Sequence, residues 1–366
     1  MYICSTPPLM GIQKILEENI KQDFLYLSFA DFEGINHEKW AVLLEKIKDI
    51  VNDKTLPLIV IDKTGDPDIL DKEIPIAPSY LQIREQLSSI VPTCIVTEDY
   101  TYHYHPVDNI IFFPYTLWLF GTKSVEKYYG YNGTIYDTDL DKTESLMCLN
   151  RNLEWHRVYL FSLIAGKPWF DKINYTFIFK LGNRLDDMHI KEQMTDEECE
   201  VVRSYQHLLP LKLASEQTAK HIPFLYHDAG GSVGLPVYAN SAINVVTETT
   251  LTNGITITEK TCKAIMAYQI PIIVGPTGVN QFLQDVGIDM FEDYVPWRTW
   301  DSLTDQKLKV RMIAEFLDSL LTPESAEQDI LATHDKFKER LIKNKQRFHS
   351  PEFAELISQQ LKSYTN

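Results

Sequence analysis

Short apolar runs alternate with amphipathic stretches along most of the chain. Phe24 to Phe29 (FLYLSF) and Leu56 to Asp62 (LPLIVID) are too short and too uniformly apolar for surface helices, and polar or glycine-bearing turns close both. The same pattern predicts strands over 89–97 and 109–113. Between them lie helical repeats over 37–51 and 81–89. The polar stretch Tyr131 to Lys142 (YNGTIYDTDLDK) interrupts this alternation and is the best candidate for a domain boundary.

A second series then begins. Strands are predicted at 144–150, 175–180, 222–226, 242–247 and 271–274, with helices at 152–165 and 191–206 and another opening at Thr258. The remainder reads as helix over 279–286, 301–321, 326–348 and 351–364. Strands separated by helices imply parallel sheets, because a parallel pair needs a long crossover. The expected fold is α/β, with two Rossmann-like domains facing a cleft and C-terminal helices. Residues 1–140 would form the first domain and 144–344 the second, with 345–366 crossing back to the first.

The densest pattern is 244–278, NVVTETTLTNGITITEKTCKAIMAYQIPIIVGPTG. A strand delivers Glu248 to its carboxyl end. A helix then opens with Thr258, Glu259 and Lys260, and a second strand runs into Gly275-Pro276-Thr277-Gly278. A parallel unit of this kind collects ligands at the carboxyl ends of its strands and at the helix N-terminus. The pattern resembles the donor-binding motif of bacterial and animal alpha-1,3-fucosyltransferases, which have the GT-B architecture. In that family the glutamate and lysine of the TEK triplet engage the nucleotide part of a sugar-nucleotide donor. The matching positions here are Glu248, Thr258, Glu259 and Lys260.

A second segment fits the same resemblance. The strand ESLMCLN ends at Asn150-Arg151-Asn152, and His156-Arg157 follow one helical turn later. In the family such a segment opens the donor domain and presents arginine to the diphosphate, which makes Asn150, Arg151 and Arg157 donor-binding candidates. A pyrophosphate leaving group gains charge as the glycosidic bond breaks, and a guanidinium fork meets two of its oxygens at once.

The resemblance implies a glycosyltransferase that inverts the anomeric centre and acts in bacterial or viral surface-polysaccharide or lipopolysaccharide synthesis. Fucose or another deoxyhexose is a plausible donor sugar. Inversion requires a base to deprotonate the acceptor hydroxyl, and the family takes it from the N-terminal domain. Asp31 and Glu33 follow the first clear strand and are the leading candidates. Glu98, Asp99, His103 and His105 are the others.

Composition narrows the partners. A formal charge of -16 argues against general nucleic-acid binding. Basic residues converging locally would still bind an anionic donor, and Arg151, Arg157, Lys180, Arg184 and Lys260 are available. For most of them a solvated surface charge is the better reading. The five cysteines form no metal-ligand spacing. Asp137-Thr138-Asp139 lies in the polar linker rather than at a strand end, so catalysis without a metal or other cofactor is expected. The leaving group would be neutralised by side chains and a helix dipole.

No signal peptide or membrane-spanning run is legible, which makes the cytoplasm the expected location. The basic amphipathic helix KFKERLIKNKQRF suggests docking at the inner face of a membrane near a lipid-linked acceptor, or else an ordinary solvated face. Two other functions remain open: a sugar-nucleotide epimerase or hydrolase on the same fold, and a non-catalytic glycan-binding protein.

Overall fold

The computed structural model describes residues 2–3, 16–17, 23–28, 37–63, 79–97, 102, 108–123, 138–150, 154–177, 190, 192–209, 236–249, 251 and 257–363. Its contacts divide the chain into two units. One comprises 1–131 with 253–257 and 350–366, the other 132–252 with 258–349. Each unit is built on a parallel sheet, and the protein is α/β.

The first sheet has five strands: β1 (Tyr2–Ile3), β2 (Leu25–Ser28), β3 (Ile59–Lys63), β4 (Thr93–Thr97) and β5 (Ile110–Phe112). They lie side by side in chain order, with Leu25 opposite Ile59 and Ile59 opposite Thr93. Right-handed crossovers that all step the same way deliver their helices to one face. The core reflects this. Leu25, Leu27, Ile59, Ile61, Ile95 and Ile110 alternate along their strands and pack with Trp40, Ile47 and Val51 of the helix His37–Lys54. Ile83 and Leu87 of the helix Tyr80–Ser88 complete that cluster. Tyr26, Val60 and Cys94 occupy the intervening positions and are equally buried. The C-terminal helix Pro351–Ser363 belongs to this unit and packs on β5 and on the helix Tyr115–Gly121.

The second sheet has four strands: β6 (Glu144–Asn150), β7 (Asn174–Phe177), β8 (Ser241–Thr247) and β9 (Ile270–Val274). Their order is β7-β6-β8-β9, so the chain steps outward from β6 in one direction and then returns to its other side. The helix Trp155–Ile164 after β6 and the helix Glu259–Met266 after β8 therefore take opposite faces. The first packs against Gln306–Leu321 and the second against Ala326–Phe348. β8 is buried along its whole length, as a sheet covered on both faces requires. Pro271 lacks an N–H and is tolerated because β9 is an edge strand of the described sheet.

Two predicted elements differ in detail. The helix expected over 301–321 is broken: Arg298–Asp301 ends, and Gln306–Leu321 begins afresh where the Asp305 carboxylate accepts the Leu308 N–H at 2.9 Å. An N-cap carboxylate starts a helix by satisfying one of its free N–H groups. The acidic region 191–206 yields a shorter helix, Asp196–Ser204, set by a capping box between Thr195 and Glu198. The strand expected at 222–226 lies outside the described residues. No described helix is long and apolar enough to cross a membrane.

Candidate functional site at the strand-order reversal

Reversal of strand order opens a crevice beyond the carboxyl ends of the two strands on either side of it, because their following loops part to opposite faces. Here those strands are β6 and β8. β6 ends at Asn150, and β8 runs through Thr247 into Glu248.

Glu248 is fully buried. Its Oε1 accepts the Thr258 N–H at 3.2 Å and the Thr261 hydroxyl at 2.6 Å, while its Oε2 accepts the Thr258 hydroxyl. The carboxylate thus caps the helix Glu259–Met266 from a distance, where a negative charge is favoured. The backbone of the same residue faces the other helix. The Glu248 carbonyl accepts His156 Nε2–H at 2.9 Å and Arg157 Nη2–H at 3.0 Å, and Arg157 also reaches the Thr247 carbonyl at 3.3 Å. One residue therefore ties together the helices on both faces.

Asn150 completes the clamp. Its Oδ1 accepts the Thr247 hydroxyl, its Nδ2 donates to Cys148 Sγ at 3.3 Å, and its backbone N–H donates to Thr176 on β7. Arg157 is 2 % exposed. Burial pushes the guanidinium pKa down, and the carboxylates of Glu154, Glu248 and Glu259 oppose that. Burial also pushes the Cys148 thiol up to about 12, which disfavours the thiolate form.

Thr258, Glu259 and Lys260 are the described candidates that are not buried. Lys260 is 25 % exposed and Glu259 31 %, with 3.5 Å between Lys260 Nζ and Glu259 Oε1. Lys260 Nζ also donates to the Thr258 hydroxyl at 3.1 Å. Burial raises the Glu259 carboxyl pKa, but Lys260 and Lys263 more than offset this and leave it below its usual value. An anion and a cation are presented together at the mouth of a helix.

The turn after β9 is held in a parallel way. Asp301 caps the helix Val279–Asp285, accepting the N–H groups of Asn280 and Gln281 and the Asn280 side chain. Gly278 adopts a left-handed φ of 84°, which glycine takes without steric cost. A carboxylate of the chain therefore already faces each of the helix starts after β8 and β9.

The structure brings Asn150, Arg157, Glu248, Thr258, Glu259 and Lys260 to one end of one sheet. Asp31, Glu33 and Arg151 lie outside the described residues, as do Glu98, Asp99, His103, His105, Lys180 and Arg184. Sequence reasoning missed Thr261, one turn into the TEK helix on the same face as Thr258, and Asp301 and Lys309. Spacing along the helix would have found the threonine. Nothing local marks the other two, which meet the β9 turn from elsewhere in the chain.

The basic helix is less free than its composition suggests. Arg340 bonds Asp289 and Asp293, Lys338 bonds Asp141, Lys345 lies over the Tyr268 ring and Arg347 donates to the Val286 carbonyl. Most of its cations are committed within the unit. Among the described residues no group of three or more His, Cys, Asp or Glu side chains is placed to hold a metal ion. No protein-family model matches the chain, and no curated protein matches it at a significant level.

Proposed function

We propose that the protein is a GT-B glycosyltransferase that moves a sugar from a nucleotide-sugar donor to a glycan acceptor, with inversion and without a metal. The observation that carries this reading is the part-exposed Glu259–Lys260 pair at the strand-order reversal, on a scaffold that Glu248 clamps from both faces. A parallel sheet places its ligand there, and the pair offers a carboxylate for ribose hydroxyls beside an ammonium for phosphate oxygen.

The proposed reaction has one displacement. A carboxylate of the first unit, Asp31 or Glu33, takes the proton of an acceptor hydroxyl. The acceptor oxygen forms a bond to the anomeric carbon as the bond to the diphosphate oxygen breaks on the opposite face. Lys260 meets the charge that grows on the departing nucleotide. The resemblance to fucosyltransferases suggests a deoxyhexose donor and an acceptor in bacterial or viral surface polysaccharide, lipid-linked or free, with the enzyme working in the cytoplasm or at the inner face of a membrane.

A thermal-shift screen against GDP, UDP, CDP, dTDP and CMP, with and without magnesium or manganese, tests the reading. A ligand that binds only the native state raises its melting temperature by mass action. One nucleotide should do so, equally with and without metal. No response to any of the five would sink the proposal. Turnover of the matching donor with no acceptor present would replace it with an epimerase or hydrolase.

A further inference from the structure

Lys309 lies on the helix Gln306–Leu321 but is only 1 % exposed. A buried ammonium must find oxygen partners. Its Nζ donates to the Gly275 carbonyl at 3.2 Å and lies 3.5 Å from the Thr277 hydroxyl. Both acceptors belong to the turn that leaves β9. Thr277 is fixed further by donating to the Leu303 carbonyl at 2.8 Å and by accepting from Gln306, one turn before Lys309 on its own helix. Asp301 is the charged group whose field reaches Lys309 from the neighbouring helix.

The turn is also pressed against the clamp. A Cβ at Gly275 would stand 3.4 Å from Glu248 Cγ, 3.2 Å from Val279 Cγ1 and 3.0 Å from Ile273 Cγ2. The Glu248 N–H donates to the Val274 carbonyl at 2.9 Å. The buried cation is therefore linked through Gly275 and Val274 to the residue that organises the site. The helix ends at the site are already occupied by Glu248 and Asp301.

We propose that Lys309 is a positioning residue for a bound diphosphate: it fixes the β9 turn and supplies positive charge from beneath. The proposal rests on the nucleotide-donor reading above. Lys309 touches the turn rather than the ligand, so its effect is on the charged part of the nucleotide and not on the base or ribose.

The test compares affinities of GDP, UDP, CDP and dTDP with those of their uncharged nucleosides, in wild type and Lys309→Met. The substitution should weaken the responding diphosphate about tenfold, as expected for loss of one charge several ångströms away at intermediate dielectric. The parent nucleoside should change less than twofold. An unchanged diphosphate affinity, or an equal loss for both ligands, overturns the role of Lys309 while leaving the donor reading intact. Wild type binding none of the four diphosphates overturns the role of Lys309, and if CMP fails as well the donor reading falls with it.

A pH series on the wild type keeps the test open if the variant fails to fold. Burial lowers the Lys309 ammonium to about 8, with Asp301 opposing. Diphosphate affinity should therefore fall between pH 7 and 9 while nucleoside affinity stays level. A flat diphosphate profile overturns the proposal.

Discussion

The two sheets are written in the same strand grammar and differ in strand order. In the first, β1 to β5 follow one another in sequence, and the helices after β2 and β3 share one apolar core. In the second, the chain returns past β6, and the helices after β6 and β8 part to opposite faces. Polar residues follow that difference. The described core of the first sheet is mostly aliphatic and aromatic, with buried Thr93 and Thr97 on β4, whereas the ends of β6 and β8 and the helices that follow carry buried Asn150, His156, Arg157, Thr247, Glu248 and Thr261. Buried polar groups are tolerated only when partnered, and here the partners lie across the reversal.

The largest effect expected is on chemistry. Asp31→Asn or Glu33→Gln should abolish sugar transfer and leave nucleotide binding unchanged, measured by product formation and calorimetry. Full activity in both variants would move the base to Glu98, Asp99, His103 or His105.

Stability comes next. Glu248→Ala removes the acceptor of two hydroxyls and an N–H in a buried place and should cost about 3 kcal/mol in denaturant unfolding. Ile61→Ala in the first sheet should cost a similar amount, about 3 kcal/mol, by leaving a cavity. The comparison sharpens in nucleotide affinity, which Glu248→Ala should lower and Ile61→Ala should not. If both variants lose affinity equally, the strand reversal is not what localises binding.

Lys260→Ala should weaken the responding nucleotide about tenfold, or about 1.4 kcal/mol, with the unfolding midpoint unchanged because the side chain is part exposed. Unchanged affinity removes that residue from the site.

The smallest effect is a pH dependence confined to the second unit. His334 is buried, and its Nε2–H donates to the Tyr268 carbonyl at 2.8 Å. Burial lowers its pKa, partly offset by that bond, with Lys142 lowering it further. The unfolded chain, with a histidine pKa of about 6.5, then takes up the proton first as pH falls. Stability from neutral His334 is present above about pH 6.5 and is lost as pH falls through the lower folded value. Melting of wild type at pH 7.5 and 5 should show a drop that His334→Gln reduces. Identical drops would place the sensitivity elsewhere.

Much of the fold was legible because its signals are local. Leu25–Ser28, Ile59–Lys63 and Ile270–Val274 are short apolar runs bounded by polar residues or turns, and their positions follow from that pattern. Thr258 was legible as a cap, and Glu259 and Lys260 as its first turn, because neighbours in sequence are neighbours on a helix. The break between Asp301 and Gln306 was not, since the whole stretch keeps a helical repeat and only the Asp305 cap marks the restart.

The sequence by itself determined the type of most described strands and helices and the cap and first turn of the helix at Thr258, since backbone preference and hydrophobic period act over a few residues. Strand order, the roles of Glu248 and Asp301 as caps for helices that begin ten or more residues away from the one and before the other, and the burial of Lys309 under the β9 turn were decided only by tertiary structure. Each depends on groups far apart in the chain meeting, and no local pattern records which distant oxygen will satisfy a buried donor.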